Sequence, residues 1–251
     1  MSRRAALALL PLLVLAGLVA RPAEAQDLVA DLSDHLIAIT TDFTGTEVVL
    51  FGAIAEPGAV AVTVRGPADR VLVRRKSRVA GIWINTQSVA FEEVPSFYWS
   101  ATSQPLDILA DPAVLERHAI GLDNLRLAPA DPEAASQAEV AEFRRALVRR
   151  KQDLGTYAAT EARVSFLGER LFRVTIPFPA NVPTGQYTVG VLLLRDGRVV
   201  AGQTTPLVVS KVGTGARVFA FAQRHGFAYG LLAVAIAVAA GWLASVAFRR
   251  R

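Results

Sequence analysis

The chain has 251 residues, no cysteine and a formal net charge of +5. Without thiols, disulfides, thiolate catalysis and thiolate metal sites are excluded, so stability has to come from a packed core. The positive charge points to a polyanion only until it is counted by segment: residues 26–226 hold 21 Lys+Arg and 21 Asp+Glu, the excess sits at the two ends, and nucleic acid is excluded as a partner.

Residues 1–25, MSRRAALALLPLLVLAGLVARPAEA, read as a signal peptide: Arg3 and Arg4 precede an apolar stretch from Leu7 to Ala20, and Ala23-Glu24-Ala25 forms a small-x-small cleavage site. The expectation is a mature chain beginning near Gln26, outside the cytoplasm.

Residues 26–104 form an N-terminal β-strand part. HLIAITTDF, TEVVLFGAI, AVAVTVRG, DRVLVRRK, GIWIN and QSVAFEEV alternate β-branched or apolar residues with polar ones between Gly and Pro punctuation. Within it Arg74, Arg75, Lys76 and Arg78 are clustered. On a strand Arg74, Lys76 and Arg78 share one face at intervals of roughly 6.6 Å, with Val71 and Val73 on the other. Three roles compete for that row: protection of a sheet edge, contact with anionic headgroups or an anionic ligand, and docking on an acidic partner. Edge protection comes first because it needs no partner. Trp83, Phe91, Phe97, Tyr98 and Trp99 read as core or edge cover rather than a ligand groove. Glu92 and Glu93, as strand neighbours, are expected on opposite faces.

Residues 105–155 form a helical insertion. Asp111-Pro112 and Asp131-Pro132 each offer an N-cap acid with proline at the first helical position, and Gly121 and Gly155 are stops. Val140, Phe143, Leu147 and Leu154 fall on one face of the second helix. Its acids come early and Arg144, Arg145, Arg149, Arg150 and Lys151 late, as the helix dipole favours, and the basic run reads as a solvated helix end.

Residues 156–212 return to strands: ARVSFLG, RLFRVTIPF, QYTVGVLLL and RVVAGQTTPLVVS, with Asp196-Gly197 as a hairpin turn. PTGQYTVGVLLL places Tyr187 where a tyrosine entering a late strand ties back to a nearby backbone group. The expected fold is mainly β, an immunoglobulin-like β-sandwich with a helical insertion; two small sandwiches flanking a helical linker are the alternative.

Residues 213–226 form a juxtamembrane segment. Residues 227–248 carry no Asp, Glu, Lys, Arg or His, and as a helix would rise roughly 33 Å, enough to cross a bilayer. Residues 249–251, three arginines, are expected as a cytoplasmic basic tail, with Tyr229 and Trp242 at the interfaces. Ala233, Ala237, Gly241 and Ser245 recur every four residues on one face of the span and are candidates for packing on another membrane helix.

Chemistry is sparse. His35, His118 and His225 are far apart, and no HExxH, GxSxG, SxxK or P-loop pattern occurs, so no metal, cofactor or catalytic residue is assigned.

FTGTEVVLFGA (43–53), VRGP (64–67), VRRKSRVAGIWIN (73–85), VPSFY (94–98), PTGQY (183–187), YGLLAV (229–234) and GWLASVAFRR (241–250) together resemble the alphaproteobacterial putative transmembrane protein family. The resemblance supplies no established activity or catalytic residue. It implies a Gram-negative inner membrane, a periplasmic sandwich and at most an accessory role in transport. The expected function is therefore a single-pass, type I, non-catalytic interaction or accessory protein, its ectodomain in the periplasm, its partners the lipid bilayer and an integral membrane protein. A periplasmic small-ligand (anion) binder is the alternative and a tethered hydrolase the third reading.

Overall fold

The computed structural model describes residues 26–133, 135–213 and 221–248. The expected signal peptide (1–25), the terminal arginines and much of the expected juxtamembrane segment (213–226) lie outside the described residues. The chain is mainly β, with twelve strands among those described. In chain order these are β1 Leu28–Leu32, β2 Leu36–Ile39, β3 Gly45–Ile54, β4 Ala59–Arg65, β5 Ala68–Val79, β6 Ile82–Pro95 and β7 Tyr98–Thr102. After the helices come β8 Ala162–Arg163, β9 Ser165–Leu167, β10 Leu171–Pro179, β11 Gly185–Arg195 and β12 Arg198–Lys211.

Three sheets result: β1-β3-β10-β9, β2-β12-β11-β4-β7-β8, and the isolated hairpin β5-β6. Leu50 pairs with Val174 in the first sheet and Val62 with Val191 in the second. Strands from both sides of the helical insertion thus pair within both larger sheets, and this rules out two separate β units joined by a helical linker. In β10, Phe172, Val174, Ile176 and Phe178 point inward while the residues between them stay exposed, the period-two pattern of a sheet with one wet face. They meet Val60, Val62, Val64, Tyr187, Val189 and Leu193 of the second sheet in one continuous core. Each buried Val, Leu or Phe contributes ~1.5–3 kcal/mol, which lets a cysteine-free domain hold together.

β4 is buried on both faces. Its second face carries Ala59 and Ala61, short enough for the insertion to lie against the sheet through Leu109, Leu115 and Ile120. The insertion contains α1 Leu106–Leu109, α2 Pro112–His118, a 3-10 turn Leu122–Asn124 and α3 Gln137–Asp153. Asp111 and Pro112 open α2 as expected. The long helix does not start at Asp131-Pro132: Ser136 caps it, its hydroxyl accepting from the Glu139 amide while the Glu139 carboxylate accepts from the Ser136 amide. That reciprocal pair satisfies two free backbone donors and outcompetes a lone acid before proline. Val140, Phe143 and Leu147 are buried, but Leu154 is 41% exposed because the helix has already closed at it. Lys151 is not a solvated helix end either. Its ammonium lies 5.6 Å from the Tyr157 ring centre and donates to the Ser96 carbonyl at 3.4 Å, and burial, opposed by Asp69, lowers its pKa.

Two local readings hold. Asp196 and Gly197, both at positive φ, turn β11 into β12, and the Tyr187 hydroxyl donates to the Pro183 carbonyl at 2.6 Å. β1, which the sequence pattern did not distinguish, pairs with β3 along its whole length.

Candidate functional site

Apart from Gly81, the segments 81–85 and 87–94 belong to one strand, β6. β5 and β6 form a long ribbon that turns at Ala80 (φ 51) and Gly81 (φ 88), the two left-handed residues of a tight hairpin. Its base is anchored: Val89, Phe91 and Val94 pack with Tyr98, Phe143, Leu147 and Tyr157. Arg75 adds the last tie, with its guanidinium over Phe143, its Nη2 on Glu142 and its Nη1 donating to Gln87 at 2.8 Å. Past this point the ribbon projects, and residues 78–88 are exposed throughout.

A bulge at Thr86 sets the two faces of the projecting part, since Arg75 opposes Gln87 but Lys76 opposes Asn85. Arg74, Lys76 and Arg78 lie together on one exposed face, where Trp83 stands across from Arg78. Val71 and Val73 are half-buried on the other, and Ser77, Ile84, Val79 and Ile82 continue that face to the tip. Among the described residues none of Arg74, Lys76 and Arg78 has an ion-pair partner. Of the five aromatics, Phe91, Phe97, Tyr98 and Trp99 fill cores, whereas Trp83 is 66% exposed.

Beside the hairpin base lies an open cleft of about 1010 Å³. The outer face of β4, β11 and β12 supplies its floor, with Thr63, Thr188, Gly190, Gly202 and Thr204, and Arg65, Arg117 and Arg126 stand around it with Glu92, Glu93 and Glu116. Both adjacent glutamates face this cleft, contrary to the strand rule. Glu93 takes φ 50 at a second bulge, where Glu92 and Glu93 together oppose Arg70, so alternation fails there. Glu92 is paired with Arg70 at 3.2 Å. Arg65 is held by the His118 carbonyl at 2.6 Å. The Tyr98 hydroxyl donates to the Ala119 carbonyl at 2.7 Å, which fixes the cleft wall, and burial pushes its pKa up to about 12. Sequence reasoning did not find this cleft, because its walls come from three distant segments and no motif marks them.

The remaining candidates, Ala233, Ala237, Gly241 and Ser245, lie on α4 Gly226–Phe248, one turn apart and exposed. Among the described residues α4 is the one helix long and apolar enough to cross a membrane. The two sets of candidate residues therefore occupy different elements, a polar-and-apolar ribbon and a uniformly apolar helix.

A β-rich domain followed by a single apolar helix of spanning length defines a class of membrane protein. The chain belongs to the family described as "Putative transmembrane protein (Alph_Pro_TM)", whose model matches residues 27–250. No curated protein matches it. Among solved structures it is similar to BslA, a bacterial hydrophobin, at 13% identity over 77% of this chain and 100% of that one, with a TM-score of 0.27.

Proposed function

We propose that the protein is a membrane-anchored interaction protein, accessory to an integral membrane protein, with an immunoglobulin-like sandwich on the periplasmic side of the inner membrane. α4 is its type I span and residues 1–25 its signal peptide. The observation that carries this reading is the β5–β6 hairpin: a domain tied to a bilayer-length helix sends out a ribbon whose end exposes Val79, Ile82, Trp83 and Ile84. Apolar groups held out in water without internal cover belong to a contact made with something else. In this reading the membrane partner packs on the Ala233, Ala237, Gly241 and Ser245 face of α4, and the hairpin works at the membrane surface.

Two experiments test it. A periplasm-active reporter fused after Ser210 is expected to be active, and a cytoplasm-active one after Arg251 likewise; the opposite pattern sinks the orientation. Crosslinking and affinity purification from native membranes are expected to recover an integral membrane protein with the wild-type chain, and consistent recovery of none sinks the accessory role.

A second reading, a small-ligand binder, is favoured by the cleft, whose three arginines and three glutamates suit a zwitterionic or mixed-charge molecule better than a simple anion. Equilibrium dialysis against such solutes tests it; absence of any binding at millimolar concentration removes it.

A further inference from the structure

We propose that the projecting half of the β5–β6 hairpin contacts lipid, and that its occupant is the anionic surface of the bilayer holding α4. This rests on the membrane-anchored part of the reading above and names what the hairpin touches.

Four observations converge. The end of the ribbon is apolar: Val79 is 49%, Ile82 68%, Trp83 66% and Ile84 45% exposed. Behind it the charge has one sign, since residues 71–91 contain four basic side chains and no acidic one. Gln87, level with Arg75, donates to Glu139 of α3 at 3.2 Å; beyond it the side-chain hydrogen bonds stay inside the ribbon, from Ser77 with Thr86 at 2.9 Å and from Arg78 to the Gly81 carbonyl at 3.2 Å, and among the described residues none of the outward basic groups is tied to another element. Finally, order along the ribbon matches the layering of a bilayer surface. Val79 and Ile82 form the leading pair, Trp83 and Arg78 the next, and Lys76 follows about 10 Å behind the tip at ~3.3 Å per residue. Apolar atoms thus enter first, the indole sits at the interface it prefers, and long basic chains extend to headgroup phosphates.

The ribbon also argues against a protein groove as the occupant. Its apolar groups lie on both faces, Trp83 on one and Val79, Ile82 and Ile84 on the other. A shaped groove would have to enclose a two-stranded ribbon from both sides, whereas lipid surrounds it without a preformed cavity. α4 supplies the remaining condition: a domain tethered to the bilayer meets its surface at high effective concentration, so a weak contact is populated.

The chain has no cysteine, and a single Asn85→Cys substitution therefore places one environment-sensitive fluorophore on the ribbon without touching its apolar or basic groups. The full chain is reconstituted into vesicles of phosphatidylcholine alone or with about one-third phosphatidylglycerol. Emission is expected to shift to the blue, and to be quenched by headgroup-spin-labelled lipid, in the anionic vesicles. Quenching is expected to fall roughly tenfold or more in the Arg74→Ser, Lys76→Ser, Arg78→Ser triple variant, and to weaken in 1 M salt. Water-like emission without quenching in anionic vesicles overturns the proposal, and equal quenching in neutral vesicles overturns its anionic part. A photocrosslinker on the same cysteine, used in native membranes, separates the two readings. Capture of a protein in place of lipid overturns the lipid contact and leaves the accessory role standing. Lipid quenching in a chain that co-purifies with no membrane protein does the reverse.

Discussion

The guanidinium of Arg75 lies 5.0 Å from the centre of the Phe143 ring, between a strand of the hairpin and the longest helix of the insertion. It divides four neighbouring basic residues into one that fastens the ribbon to the insertion and three that, among the described residues, have no ion pair. Arg75→Ala is expected to cost ~1–2 kcal/mol, most of it packing and cation–π contact because its ion pair with Glu142 is largely solvated. Urea denaturation of the full chain in detergent reads this, and an unchanged midpoint would show that the hairpin is held by its base alone.

The Arg74→Ser, Lys76→Ser, Arg78→Ser variant is expected to unfold within about 0.5 kcal/mol of the wild type, since all three residues are exposed. Light scattering is expected to show it no more self-associated than the wild type. A marked rise in self-association would instead give the row the task of guarding a sheet edge.

Tyr98→Phe is expected to destabilise by ~1–3 kcal/mol, because the Ala119 carbonyl loses its buried donor. Burial raises the Tyr98 pKa from 10.0 to about 12. The stability gained by keeping this phenol neutral is complete below pH 10 and is lost as pH rises toward 12. Alkaline unfolding and phenolate absorbance are thus expected to develop together in that window. A phenolate signal well before unfolding that disappears in Tyr98→Phe would mean that the Tyr98 hydroxyl is not buried.

The Ser136 hydroxyl is the main cause, with the Ser136 amide next, that holds the Glu139 carboxyl below its ordinary range. Stability from this cap is present above pH ~4.3, the ordinary glutamate value, and fades as acid protonates the folded carboxylate at lower pH. Ser136→Ala is expected to cost ~1 kcal/mol at neutral pH and to flatten the acid limb of the stability curve. An acid limb identical to the wild type would place the cap elsewhere.

If the proposed membrane partner packs on this face, Ala237→Leu with Gly241→Leu is expected to leave insertion of α4 intact and to reduce co-purification of that partner several-fold, because close helix approach needs small residues. Undiminished recovery, also after exchange of residues 227–248 for an unrelated span, would leave the anchor as the sole role of α4.

What could be read in advance was local. Tyr187 reaches a carbonyl four residues back, and Asp196-Gly197 turns on its own dihedrals, so short stretches of sequence contained both. The break placed between GIWIN and QSVAFEEV was a misreading of the Thr86 bulge, which interrupts alternation without ending a strand. Glu93 escaped for a similar reason, since a left-handed residue inside β6 leaves no sign in the pattern. Trp83 was grouped with four core aromatics because residue type alone does not report where a ribbon outruns its support. The cleft, and the pairing of Leu50 with Val174, depend on segments brought together only by the finished fold.

That same pairing sets an order of assembly. The four-stranded sheet joins β1 and β3 near the start of the chain to β10 near its end, so it closes only once more than a hundred intervening residues are in place. Non-local closure of this kind is slow, and a partner for the first strands arrives late. The β5–β6 hairpin needs no such wait. Its two strands are contiguous, its turn is built in at Ala80 and Gly81, and it can form while the sheets around it are still open. The nascent chain would then carry Ile82 and Trp83 outward while β10, β11 and β12 are still unpaired.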